Sequence, residues 1–95
     1  MIYAIIQFNI KDEEVYKEYS QATGKIIMNY GAKPIAAAKT AEFILGSQTA
    51  KNKVIVAFPT KQHVEDWLNS AEYAPYIPLR DKALQDLSIS ILNEF

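Results

Sequence analysis

The chain has 95 residues, 49% hydrophobic and 22% charged, with 10 Lys and Arg against 11 Asp and Glu for a formal net charge of -1. That length fits one domain, small enough that a partner subunit would help it bury surface, and the composition excludes a disordered or purely polar chain. The lysines are scattered rather than gathered into a stripe, so no nucleic-acid partner is expected, and the lack of cysteine excludes disulfides, thiolate catalysis and zinc-thiolate sites.

Ile2, Ala4, Ile6, Phe8 and Ile10 recur at a spacing of two, which puts all five on one face of a β-strand. Tyr3, Ile5, Gln7 and Asn9 share the other face, whose mixed character predicts contact with another sheet or a cleft rather than bulk water. This first run lacks a basic leader, is too short to span a bilayer and is interrupted by Gln7 and Asn9, so no membrane partner is expected and the cytoplasm is the expected location. Asp12 suits the N-cap of a helix whose first turn carries Glu13 and Glu14 at the positive end of the helix dipole. Val15, Tyr16, Tyr19, Ala22, Ile26, Ile27 and Tyr30 form its apolar stripe, with Lys17, Glu18, Gln21 and Lys25 largely opposite. Gly24 inside this helix costs roughly 1 kcal/mol relative to alanine, which implies a close approach there, and Gly31 stops the helix.

Extended chain is expected over residues 33–38 and again over 42–45, with a bend near 39–41 and a turn after Gly46. Val54 to Phe58 is apolar on both faces, as in a central strand covered on both sides, and Pro59 ends it. Thr60 suits a second N-cap, and Val64, Trp67, Leu68 and Ala71 fall at i, i+3, i+4 and i+7 as a buried stripe. Pro75 and Pro78 break the next segment, so a helix restarts and runs through Arg80 to Gln85. Leu87, Ile89 and Ile91 alternate with Ser88 and Ser90 in a last strand. The order β-α-β-β-α-β predicts one α+β domain over residues 1–95, a ferredoxin-like sandwich whose antiparallel sheet carries two main helices on one face.

Asn9 and Asp12 ahead of Tyr16 and Tyr19, Tyr30-Gly31, Glu42, Gly46, and Phe58-Pro59 followed by Trp67, Ser70, Glu72-Tyr73, Leu79 and Arg80 together resemble a family of small bacterial proteins. That family is known as domain of unknown function thirteen-thirty, within the dimeric α+β barrel superfamily. The most specific part is the W-x-x-S-x-E-Y run ahead of an L-R pair. The resemblance implies a ferredoxin-like protomer whose sheet packs face to face with a second copy, giving a homodimer with a cleft in each subunit. Relatives by fold include cofactor-independent monooxygenases, haem proteins and isomerases, so the fold selects no chemistry. The chain departs from the family pattern at Ala37, Ala38 and Lys39, in a segment where an arginine and glycines are expected.

Arg80, beside Tyr73 and Tyr76 in sequence, has the fixed fork that grips a carboxylate or other small anion; its bland alternative is an ion pair with Glu72 or Asp81. His63 is the one histidine and the one candidate general base near neutrality, although its place off the Val64-Trp67-Leu68 stripe favours solvent exposure. Gln7 and Asn9 are candidates to hydrogen-bond a ligand carbonyl, or equally to pair across a dimer or hold buried water. Tyr16, Tyr19, Tyr30 and Trp67 read as core or interface aromatics. No closely spaced ligand pair supports a metal, and no cofactor is expected. The leading expectation is a homodimer that binds a small, partly apolar molecule in a cleft, with Arg80, Tyr73 and Asn9 as polar contacts. One alternative is a cofactor-independent oxygenase or isomerase with His63 as proton acceptor; another is a dimer without a ligand, whose second sheet face only buries the partner.

Overall fold

A computed structural model describes all residues 1–95. The elements in chain order are β1 (Ile2–Ile10), α1 (Glu13–Met28), β2 (Lys33–Ala38), β3 (Asn52–Phe58), α2 (Lys61–Leu68), α3 (Ile77–Ala83) and β4 (Leu84–Asn93), with one 3₁₀ turn at Ala74–Tyr76 leading into α3. The strands form one sheet in the order β2-β3-β1-β4, with every neighbouring pair antiparallel. This is the ferredoxin-like arrangement, a sheet with its helices on one side, and the molecule is only 16 Å deep along its shortest axis.

The helix starts follow from side-chain caps. Asp12 Oδ1 accepts the Val15 N–H at 3.1 Å, and Thr60 Oγ1 accepts the His63 N–H at 3.4 Å, each satisfying a donor that the first turn leaves free. At the far end of α1, the N–H groups of Asn29 and Tyr30 bond to the carbonyls three residues back, and Gly31 turns the chain with φ at +80°. A Cβ at Gly31 would also lie 3.0 Å from Pro59 Cδ, so both conformation and space require glycine there.

The inner face of the sheet is the one facing the helices. Ala4, Val56 and Phe58 pack there against Val64, Trp67 and Tyr73 in the main core, and Phe58 stacks on Trp67 with ring centroids 6.1 Å apart. Burying an aromatic side chain of this kind stabilises the fold by roughly 1.5–3 kcal/mol. Ile55, whose side chain points the other way from Val54 and Val56, is partly buried like Val54 and lines a shallow hollow on the outer face with Tyr3, Ile5, Ile35 and Leu92, a face that no helix of the protomer covers.

The structure corrects the expected boundaries in four places. Residues 42–45 form no strand, and Ile44 and Leu45 stand 91% and 94% exposed. The first helix ends at Met28 rather than Tyr30, because Gly31 bends the chain and the last turn tightens before it. The second ends at Leu68, leaving Ala71 exposed in the following turn. The third gives way to strand at Leu84 rather than after Gln85, because Leu84 and Gln85 already pair with Ile10 and Asn9 of β1, ahead of a bulge in which Asp86 takes φ of 57°.

Candidate active site beneath the first helix

Between α1 and the inner face of the sheet lies a cavity of about 350 Å³, and thirteen of its eighteen lining residues are hydrophobic, Tyr16, Tyr19 and Tyr73 among them. That size falls at the lower end of small-molecule sites. Larger hollows of about 580 and 520 Å³ lie on the outer, charged side of α1, but each is an open depression with a single apolar residue and no buried polar group.

The cavity has one polar corner. Tyr19 Oη, from α1, lies 2.7 Å from Tyr73 Oη. Arg80 Nη1, from α3, donates to the same Tyr73 oxygen at 3.5 Å, and the guanidinium sits 6.0 Å from the Tyr73 ring centroid. Its Nε donates to Asp81 Oδ1 at 3.1 Å, on the side where Asp81 is 64% exposed. Arg80 is the only charged residue in the lining, which holds no Asp, Glu, His or Lys.

The W-x-x-S-x-E-Y run builds this corner. Ser70 Oγ donates to the Trp67 carbonyl at 2.8 Å and accepts the Tyr73 N–H at 3.1 Å, which folds the chain sharply after α2. Glu72 accepts the Tyr30 hydroxyl at 2.9 Å and ties this turn to the end of α1. Tyr73 is thereby fixed between Trp67 and Tyr19, 1% exposed. Trp67 also lines the cavity, and its buried indole N–H has no partner.

Burial first, and then the hydrogen bond to Tyr73, push the Tyr19 phenol far above its ordinary value of 10, so at neutral pH it keeps its proton and is no base. For Arg80 burial is the largest single influence and opposes the charge, but Tyr73 and Asp81 together outweigh it and leave the group raised.

Of the residues singled out from sequence, Tyr73 and Arg80 come together in the cavity. Gln7 and Asn9 lie on the outer face of the sheet. Gln7 Oε1 accepts from Lys53 Nζ; Asn9 Nδ2 donates to the Thr49 carbonyl and to Asp86 Oδ2, each at 2.9 Å, while its Oδ1 accepts the Lys51 N–H at 3.0 Å. His63 is half-buried outside the cavity, with Nδ1 2.7 Å from Thr60 Oγ1. Tyr19 was read from sequence only as a stripe aromatic, and its hydroxyl is the site group that reading missed. No three His, Asp or Glu side chains converge on a metal position, and no helix is long and apolar enough to cross a membrane.

The family described as Domain of unknown function (DUF1330) matches residues 1–95. The chain belongs to this family. Among solved structures, this DUF1330 chain is similar to a protein of unknown function from Rhodopseudomonas palustris at 15% identity and a TM-score of 0.83, over 99% of this chain and 82% of that one. It is similar to an uncharacterised NIPSNAP domain protein from Burkholderia xenovorans at 17% identity and a TM-score of 0.70, over 100% and 95%. It is also similar to an antibiotic biosynthesis monooxygenase at 14% identity and a TM-score of 0.60, over 100% and 99%. At these identities the likeness shows the ferredoxin-like fold alone. No curated protein sequence matches the chain.

Proposed function

We propose that this DUF1330 protein binds a small, partly apolar molecule in the cavity beneath α1, with Arg80 and Tyr73 as its polar contacts. The observation that carries this reading is a single cationic, donor-rich corner at one end of a largely apolar cavity of about 350 Å³, the usual composition of a small-molecule site. Asn9 and Gln7 are left out of the contact set, because their polar groups are engaged on the other face of the sheet.

The same reading makes the working form a homodimer. Tyr3, Ile5, Ile35, Ile55 and Leu92 line a shallow hollow on the outer face, with Ile35 and Leu92 about half-exposed, an apolar surface that a second copy would cover. A cytoplasmic location belongs to the same reading and is compatible with a chain free of cysteine.

An oxygenase or isomerase reading draws support from the fold it shares with a monooxygenase at 14% identity. The lining supplies no general base for it, and His63 is committed to Thr60 elsewhere. Such a reaction would need a substrate that arrives already ionised.

The test is a thermal-shift screen of small aromatic and aliphatic molecules on wild type and Arg80→Ala, with sedimentation to give the assembly state. A hit whose affinity falls about 10- to 100-fold in Arg80→Ala, the usual loss for a hydrogen bond to a charged group, supports the reading. Equal affinity in the two proteins overturns the Arg80 contact, and a monomer at all concentrations overturns the dimer.

A further inference from the structure

We propose that the cavity takes a monoanionic acid with an elongated apolar body, its acid oxygen at the Tyr19–Tyr73–Arg80 corner and its tail leaving beside Gly24. This rests on the binding role proposed above and adds the charge and the orientation of the ligand.

The charge follows from counting protons. Tyr73 Oη already accepts from Arg80 Nη1, and one hydroxyl proton is shared between Tyr19 and Tyr73. Whichever phenol gives that proton, the other keeps an O–H that no further acceptor takes up within hydrogen-bond distance, Thr23, whose own hydroxyl donates to the Tyr19 carbonyl, being the one other hydroxyl that acts on the Tyr19 phenol. Arg80 spends its Nε–H on Asp81 and one Nη1–H on Tyr73, so three of its five N–H donors remain free. The corner thus offers donors and a positive charge. Asp81 lies on the exposed side of Arg80 and is not part of the lining, so no anion compensates that charge within the cavity. A ligand oxygen that is ionised satisfies both requirements, whereas a cationic head meets only like charge and donors.

The orientation follows from Gly24. It sits inside α1, where glycine weakens a helix relative to alanine, yet its backbone angle is not positive and an added Cβ would meet nothing within 4 Å. Neither conformation nor packing within the chain calls for glycine. Gly24 is also exposed and lines the cavity, as do Ser20, Met28 and Pro34. Ser20, Gly24 and Met28 follow one another at a spacing of four along one edge of α1, with Pro34 of β2 also at this opening, so these residues mark the mouth. Tyr19 and Gly24 are five residues apart, so their backbones are offset by about 7.5 Å along the helix axis, and the Tyr19 hydroxyl that marks the corner stands a further ring's length out from α1. A body of one to two rings attached to an acid held at Tyr19 reaches the mouth at Gly24, where a missing side chain leaves it room.

The test uses the single tryptophan, which lines the cavity, as a fluorescence reporter. Benzoate, 4-biphenylcarboxylate, biphenyl-4-carboxamide and 4-(aminomethyl)biphenyl are titrated into wild type, Gly24→Ala and Gly24→Leu, with Tm recorded for each protein. The expected result is that the biphenyl acid binds wild type at least about tenfold more tightly than its amide and that the amine binds weakest. Gly24→Ala is expected to raise Tm by about 4–8 °C. Gly24→Leu, with its Tm showing an intact fold, should weaken the biphenyl acid at least about tenfold more than benzoate. Equal binding of acid, amide and amine overturns the anionic head and leaves the binding role standing. A Gly24→Leu penalty equal for benzoate and the biphenyl acid overturns the orientation. No change in fluorescence or Tm with any probe overturns this proposal and the binding role together.

Discussion

The polar corner under α1 and the Asn9 cluster on the opposite face of the sheet contain similar chemistry and differ in one respect. Every hydrogen-bonding atom of the Asn9 amide is engaged: both Nδ2 hydrogens reach acceptors on the 41–51 loop and β4, and Oδ1 receives a backbone N–H. In the corner, a tyrosine pair and an arginine meet with donors left over. A saturated amide holds a loop in place, whereas unsatisfied donors facing a cavity wait for an acceptor. Residue type alone does not separate the two, and hydrogen-bond saturation does.

The largest expected effect that would break this contrast is at Asn9. Asn9→Leu strands the Lys51 N–H, the Thr49 carbonyl and Asp86, and is expected to cost about 1–3 kcal/mol in urea unfolding while ligand affinity stays within twofold. A large loss of affinity with unchanged stability would reverse the roles assigned to the two regions.

A second, smaller effect concerns pH. The folded Tyr19 phenol is raised above its ordinary value of 10, so the folded state keeps a proton that the unfolded state releases. Its contribution to stability is complete below pH 10 and declines as pH rises beyond it, by about 1.4 kcal/mol per pH unit. Wild type should therefore lose stability faster than Tyr19→Phe between pH 10 and 11, as measured by denaturant unfolding. Parallel curves would mean that Tyr19 is not held apart from water.

The smallest effect is expected at His63. His63→Ala removes one hydrogen bond to Thr60 and should cost no more than about 1 kcal/mol, with affinity for a cavity ligand unaltered in isothermal titration. A loss of binding would place the imidazole in the site after all.

Much of the fold was legible because local signals agree with the tertiary structure. The alternation Ile2, Ala4, Ile6, Phe8 marks the inner face of β1, and Asp12 and Thr60 cap the helices that they precede. The segment 42–45 misled because Phe43, Ile44 and Leu45 have strand composition, yet the loop is held by Asn9 and by Lys51 and Lys53 over the Phe43 ring rather than by a ladder. In the proposed site, the meeting of Tyr73 and Arg80 was legible because only seven residues, folded by the turn through Ser70 and the prolines, separate them. Tyr19 was not, since its hydroxyl partner is 54 residues away and helical spacing reports only which face it occupies. Gln7 and Asn9 were assigned to the correct strand face, but alternation does not say which face of a sheet borders the cavity.

The strand order β2-β3-β1-β4 also interleaves the two halves of the chain. The first half supplies β1 and β2, the second β3 and β4, and every ladder joins a strand of one half to a strand of the other. A nascent chain that has left the ribosome as far as Ala38 therefore carries two strands that never pair with each other, their edges open until β3 arrives between them. A mature molecule nicked in the exposed stretch at Ile44 and Leu45 is in the opposite position, because every ladder of the sheet then joins one fragment to the other, and the two separate only if all three ladders open.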